Sequence, residues 1–212
     1  MLDKGICVRF YKRKDIQDAI IAHAKNKEIG VRYNDSFGKR PDILSYPKEI
    51  LELSLRGVTS FHASEEIWDN PLELESNKSK KDLDQLRVGW DLVLDIDCKF
   101  VDYSKIAAHL IIQFLNNCGV KDISCKFSGN KGFHIGVPFE AFPKKVGEIE
   151  TKDLFPDAAK RIAYYIKENI KTELGKKILE FERGDIANIK EKVNLSQEEV
   201  TRYEANEYGD KI

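Results

Sequence analysis

No stretch of this sequence approaches the ~20 consecutive apolar residues that a membrane-spanning helix needs, and charged residues make up 33% of the 212 positions against 42% hydrophobic ones. A membrane-embedded protein is not expected. The opening residues, Met1 to Asp15, carry charges but no apolar stretch ending in a small-residue cleavage site, so a secretory signal is not expected and a cytoplasmic location is. Cysteine is scarce: Cys7, Cys98, Cys118 and Cys125 show neither the close pairing of a zinc site nor a disulfide framework, which leads us to expect reduced, mostly buried thiols. Charge of one sign is also missing. With 35 basic and 36 acidic side chains the net charge is −1, so any nucleic-acid contact has to be local or shared with a partner. Repeats and low-complexity tracts are absent as well, which excludes solenoids.

What is present alternates between helical and strand-like periodicity, the pattern of a mixed α and β (α+β) domain. Apolar spacing predicts a helix over 15–27, a strand over 29–33, a basic loop over 36–41, a short helix over 47–55 and a strand over 57–63. A solvated connection is expected over 69–84. Val88 to Asp97 is the most strand-like segment of the chain and is followed by a helix over 105–117, where Ile106, Leu110, Phe114 and Ala107, Ile111, Leu115 line one side. A hairpin is expected over 121–127 and 133–138 around the loop Ser128-Gly-Asn-Lys-Gly132. Helices are expected from 157 onward. We expect one domain over 1–175 and a charged, helical or partly ordered segment over 176–212.

Two features carry chemistry. In Trp90-Asp-Leu-Val-Leu-Asp-Ile-Asp97, strand alternation puts Trp90, Leu92, Leu94 and Ile96 on one face and Asp91, Val93, Asp95 and Asp97 on the other. Two carboxylates side by side repel one another unless a cation intervenes, and a divalent metal such as Mg2+ or Mn2+ takes one or two carboxylates and fills its shell with water and phosphate oxygens. In the hairpin, alternation sends Ile123, Cys125, Phe127, Phe133, Ile135 and Val137 to the core and Ser124, Lys126, Ser128, His134 and Gly136 to a polar face. Ser128 offers a hydroxyl, Lys131 and Lys126 compact cations, His134 a ring nitrogen, and the glycines let backbone amides approach an anion. That combination suits a triphosphate, and Gly136 is expected to leave room for a nucleotide against the sheet. Lys131 to Phe139 also partly echoes an RNA-recognition strand, but His134 and Ile135 stand where glycine or alanine and an exposed aromatic belong. His23, His62 and His109 are read as structural or surface residues.

The acid strand ending at Asp97, then about thirty residues later Phe127-Ser-Gly-Asn-Lys-Gly-Phe-His-Ile135, resembles the small catalytic subunit of archaeal and eukaryotic primases. The resemblance runs from about residue 30 to about residue 143 and extends more weakly to Arg32–Arg40 and Thr59–Ala63. It implies an archaeo-eukaryotic primase fold, with an RRM-like antiparallel catalytic sheet, an N-terminal α/β unit and C-terminal helices. It implies Asp95 and Asp97 as catalytic metal ligands for Mg2+ or Mn2+, with Ser128, Lys131 and His134 gripping the incoming NTP or dNTP. Template-directed primer synthesis on single-stranded DNA, with a primase large subunit as partner, is the implied function. A repair or plasmid-type polymerase of the same superfamily, and a catalytically silent nucleotide- or RNA-binding module, are the alternatives. Lys39, Arg40, Lys144 and Lys145 are candidate template contacts. The cysteine-rich zinc insertion of many family members has no counterpart between Asp97 and Ser128, so no zinc is expected. The family's third metal-binding acid is not found before Ile212: Asp185 falls in a charged helix-like stretch and Asp210 in the terminal tail. A fragment, a split protein or an inactive variant are the expectations that follow.

Overall fold

The computed structural model describes residues 3–74 and 78–184. In chain order its elements are α1 (Lys4–Tyr11), α2 (Lys14–Ala24), β1 (Ile29–Tyr33), β2 (Ser36–Phe37), α3 (Pro47–Leu55), β3 (Ser60–Ala63), β4 (Glu66–Trp68), α4 (Lys80–Leu86), β5 (Arg87–Trp90), β6 (Leu92–Ile96), α5 (Val101–Asn117), β7 (Ser124–Phe127), β8 (Phe133–Val137), β9 (Lys145–Val146), β10 (Ile149–Glu150) and α6 (Asp157–Phe181). The described residues are thus a mixture of helices and small sheets, in the α+β class. No helix among them is long and apolar enough to cross a membrane. Two compact units are formed, one by residues 3–93 with 137–159 and one by 94–136 with the described residues from 160.

The first unit is built on a sheet of order β2-β1-β3, antiparallel throughout. Strand alternation buries Ile29 and Val31, and helices α1 and α2 supply Cys7, Tyr11 and Ala24, joined by Leu44, Ile50 and Val58, to one core. Helix α1, which has no counterpart in the sequence reading, is fixed at its start by Asp3, whose carboxylate accepts from the Ile6 amide at 3.0 Å. Only two of its residues, Cys7 and Tyr11, are buried, too short a pattern for periodicity to register. At the start of α3 the Glu49 carboxylate accepts from the backbone amides of Ser45 and Tyr46, at 2.7 and 2.8 Å. A second packing centre surrounds Trp90, which is wholly buried, has the rings of Phe139, Phe142 and Phe155 about it, and donates Nε1–H to the Thr151 carbonyl at 2.8 Å.

Three sequence expectations need correction here. Val88 to Asp97 is not one strand but two: β5 pairs with β4, β6 lies next to β8, and the break falls at Asp91. The Asp91 carboxylate is bound to the Lys27 ammonium and accepts from the Phe139 amide at 3.0 Å, so it is spent on holding the first unit together. The expected connection over 69–84 contains a 3-10 turn at Pro71–Glu73 and helix α4, started by a capping box in which Ser79 and Asp82 exchange hydrogen bonds. Of the four cysteines only Cys7 is buried; Cys118 and Cys125 are exposed.

The second unit holds the sheet of order β6-β8-β7 with helix α5 and most of α6. Helix α5 buries Tyr103, Ser104, Ala108, Leu110, Ile111 and Leu115; of the residues expected to line one side, Leu110, Ile111 and Leu115 are buried and Ile106, Ala107 and Phe114 are half-buried. Ring contacts Phe114–Tyr165 at 5.9 Å and Tyr103–Phe181 at 6.3 Å tie it to α6, which buries Ile166 and Ile170. The Tyr103 hydroxyl donates to Glu182 at 2.8 Å, and burial followed by that bond pushes its phenol up to about 12. The expected segment 176–212 is described only as far as Gly184, as the end of α6 and a turn, so Asp185 and Asp210 lie outside the described residues.

Candidate functional site

Strand β6 delivers the two acids as alternation requires: Leu92 and Leu94 are buried while Asp95 and Asp97 are exposed on the opposite side. Beside β6 lies β8, and the His134 imidazole comes within 3.3 Å of Asp95, Nε2 to Oδ1. His134 is in turn the cross-strand partner of Lys126 on β7. Asp95, His134 and Lys126 therefore form a row across the sheet, one side chain from each strand. An acid and two nitrogen groups are set side by side by backbone pairing alone.

The loop between β7 and β8 is closed by its own ends. The Ser128 amide donates to the Gly132 carbonyl at 2.9 Å, and the Gly132 amide donates to the Ser128 hydroxyl oxygen at 3.2 Å. Gly129 takes a φ of +94°, a conformation that side-chain-bearing residues adopt only at a cost. Gly132 is buried against the end of β6: a Cβ there would run into the Ile96 carbonyl, one residue before Asp97. The second glycine thus seats the loop against the acid strand. Ser128 and Lys131 remain exposed on that loop, and because the Ser128 oxygen is an acceptor within it, its O–H is left to donate outward.

Other expected residues are used differently. Strand β7 is an edge strand with all four residues exposed, so Cys125 and Phe127 are not in the core; Phe127 is 51% exposed and meets Phe133 edge-on at 5.5 Å. Ile135, on the central strand, is fully buried as expected. The space above Gly136 is taken by Ser124, whose hydroxyl donates to the Gly136 carbonyl at 3.3 Å and would lie 2.8 Å from a Cβ there. Arg40 is held by Glu28 through a two-pronged bond at 2.6 and 2.7 Å, and Lys145 pairs across a hairpin with Glu150 at 3.5 Å. Lys39 and Lys144 are exposed.

Asp95 and Asp97 offer the hard oxygen donors that magnesium or manganese takes, and neither forms an ion pair with a lysine or arginine among the described residues. Among those residues no cluster of three or more histidine, cysteine, aspartate or glutamate side chains is formed that could hold a metal ion. Two carboxylates alone are a donor set that a divalent ion takes only when other oxygen ligands complete its shell.

No protein-family model matches the chain. A stretch of 58 residues is 43% identical to an uncharacterized protein of Methanocaldococcus jannaschii; it makes up 27% of this chain and spans 13% of that protein's length.

Proposed function

We propose that this chain carries a primase-type catalytic domain, acting in template-directed nucleotidyl transfer from NTPs or dNTPs on single-stranded DNA. The observation that carries the proposal is the row Asp95, His134 and Lys126, with Asp97 two residues along and the Ser128–Gly132 loop seated on the Ile96 carbonyl. An acid pair beside a lysine, a histidine ring nitrogen and a glycine loop is the arrangement needed where a triphosphate must be held while its α-phosphorus is attacked. In the reaction a 3′-hydroxyl oxygen bonds to the α-phosphorus as the bond to the bridging oxygen of pyrophosphate breaks.

Asp95 and Asp97 would hold Mg2+ or Mn2+, which supplies charge neutralisation at the phosphates and acidifies the attacking hydroxyl. Lys131 and His134 bind the β and γ phosphates, Lys126 adds positive charge beside His134, and the Ser128 O–H donates to a phosphate oxygen. A primase large subunit is the proposed partner, consistent with a net charge of −1 that leaves template binding underpowered in this chain alone. A repair or plasmid-type polymerase would use the same groups.

A second reading, a silent nucleotide- or RNA-binding module with the same fold, is favoured by the lack of a third acid beside Asp95 and Asp97 among the described residues. Thermal shift with a nucleoside triphosphate separates the two. The catalytic reading expects a rise in melting temperature that requires Mg2+ or Mn2+ and disappears in Asp95→Asn and in Lys131→Ala. A shift that persists in EDTA and in Asp95→Asn supports the silent module instead.

A further inference from the structure

The open face of the sheet β2-β1-β3 carries a group of side chains unused by the acid pair. Alternation along β1 turns Ile29 and Val31 to the core and Gly30 and Arg32 outward. Register then sets Arg32 opposite Ser60 on one side and opposite Phe37 on the other, with Gly30 opposite His62. Phe37 lies across Gly30, close enough that a Cβ there would be 3.2 Å from its ring, and it is 51% exposed. The Arg32 guanidinium carbon is 5.7 Å from the Phe37 ring centroid, the His62 ring meets Phe37 edge-on at 5.3 Å, and the Ser60 hydroxyl is hydrogen-bonded to His62 Nε2 at 2.9 Å.

Arg32 Nε is buried and has no hydrogen-bond partner among the described residues. A buried N–H left without an acceptor is costly, and its natural complement is an oxygen anion approaching from the open side. Phosphate matches a guanidinium fork, and Ser60 can serve a second oxygen. A small inorganic anion would satisfy Arg32 and leave the Phe37 ring bare, whereas a nucleotide unit brings a phosphate and a flat base together. Arg40 also borders the face, its Nε 3.9 Å from where a Cβ on Gly30 would stand, though Glu28 pairs with it; Lys39, its neighbour in sequence, is exposed.

We propose that this face binds single-stranded nucleic acid, with Arg32 on a backbone phosphate, Ser60 beside it and a base stacked on Phe37. The site lies within the first unit and does not depend on Asp95 or Asp97. It also replaces Arg40, which Glu28 occupies, with Arg32 as the phosphate contact.

The test is fluorescence anisotropy of a labelled oligodeoxythymidylate titrated with the full chain in EDTA at low salt, conditions that take metal binding at the acid pair out of the measurement. Arg32→Gln and Phe37→Ala should each weaken binding on the order of ten-fold. Phe37→Trp should retain binding, and its emission should be quenched by the strand. Phe37 is exposed, so a matched urea melt for Phe37→Ala is expected and guards against unfolding as the cause. Binding unchanged in both Arg32→Gln and Phe37→Ala would overturn the proposal. So would no binding by the unsubstituted chain, or thymidine monophosphate competing as well as the strand per nucleotide, which would make this a site for free nucleotides.

Discussion

Individual residues in this protein do work that their type alone does not announce. Asp91 belongs by spacing with Asp95 and Asp97, yet its two oxygens serve the Lys27 ammonium and the Phe139 amide. Lys27 is 4% exposed and the Asp91 side chain 13%, so Lys27→Met leaves a largely covered carboxylate without its cation. A loss of about 3–5 kcal/mol in a urea melt is the expected result, as for other broken buried pairs. Trp90→Phe removes the only donor in that side chain and leaves the buried Thr151 carbonyl without it; we expect a loss of about 1–3 kcal/mol from the unmet acceptor.

Tyr103 gives a pH signature. Its phenol is raised from 10.0 to about 12, so the folded state holds that proton more tightly than the unfolded chain does. The contribution is complete below pH 10 and is lost as pH rises from there through about 12. Stability measured by denaturation should fall across that window in the unsubstituted chain, and the part due to Tyr103 should be missing in Tyr103→Phe. At this scale the candidate site was legible because Asp95, Asp97, Lys126 and His134 follow strand alternation, which is local. Arg32 and Lys27 were not, since what makes each special is a partner or the lack of one, set by pairings 25 or more residues away in sequence: Arg32 with Ser60 and Lys27 with Asp91.

Among elements, the hairpin β7–β8 is the one to which the proposed function gives the task of holding substrate beside the acid pair. Its loop is seated through Gly132, where a Cβ meets the Ile96 carbonyl. Gly132→Ala should therefore lift the loop from the end of β6, costing about 1–3 kcal/mol as other overpacked substitutions do. It should also abolish any nucleotide-dependent thermal shift. Loss of stability with the nucleotide shift intact would mean that the loop is structural only.

The same hairpin shows where periodicity misleads. Alternation assigned Cys125 and Phe127 to the core because it finds two faces on any strand, but β7 is the sheet edge and neither of its faces is covered among the described residues. Whether a strand lies at the edge or the centre is a property of the whole sheet. The break between β5 and β6 was hidden for a similar reason: the alternation of Leu92, Leu94, Asp95 and Asp97 continues past Asp91 undisturbed, while the pairing partner changes from β4 to β8.

At the scale of the molecule, an acid strand and a Ser-Gly hairpin far apart in sequence become neighbours, and a second sheet presents a basic and aromatic face of its own. The mixed α and β class and the order of most elements could be read from periodicity, because each buries one stripe or one face. Division into two compact units could not, since the chain leaves the first at Leu94, re-enters it at Val137 and leaves it again at Lys160. Catalysis by the acid pair is the central claim. It is tested most directly by incubating the purified chain with Mn2+ or Mg2+, a single-stranded DNA template and labelled nucleotides, alongside Asp95→Asn and Asp97→Asn. The account predicts template-dependent product from the unsubstituted chain and a fall of at least about a hundred-fold in each variant, the scale on which single catalytic groups act. Product formed equally well by the doubly substituted chain would contradict it.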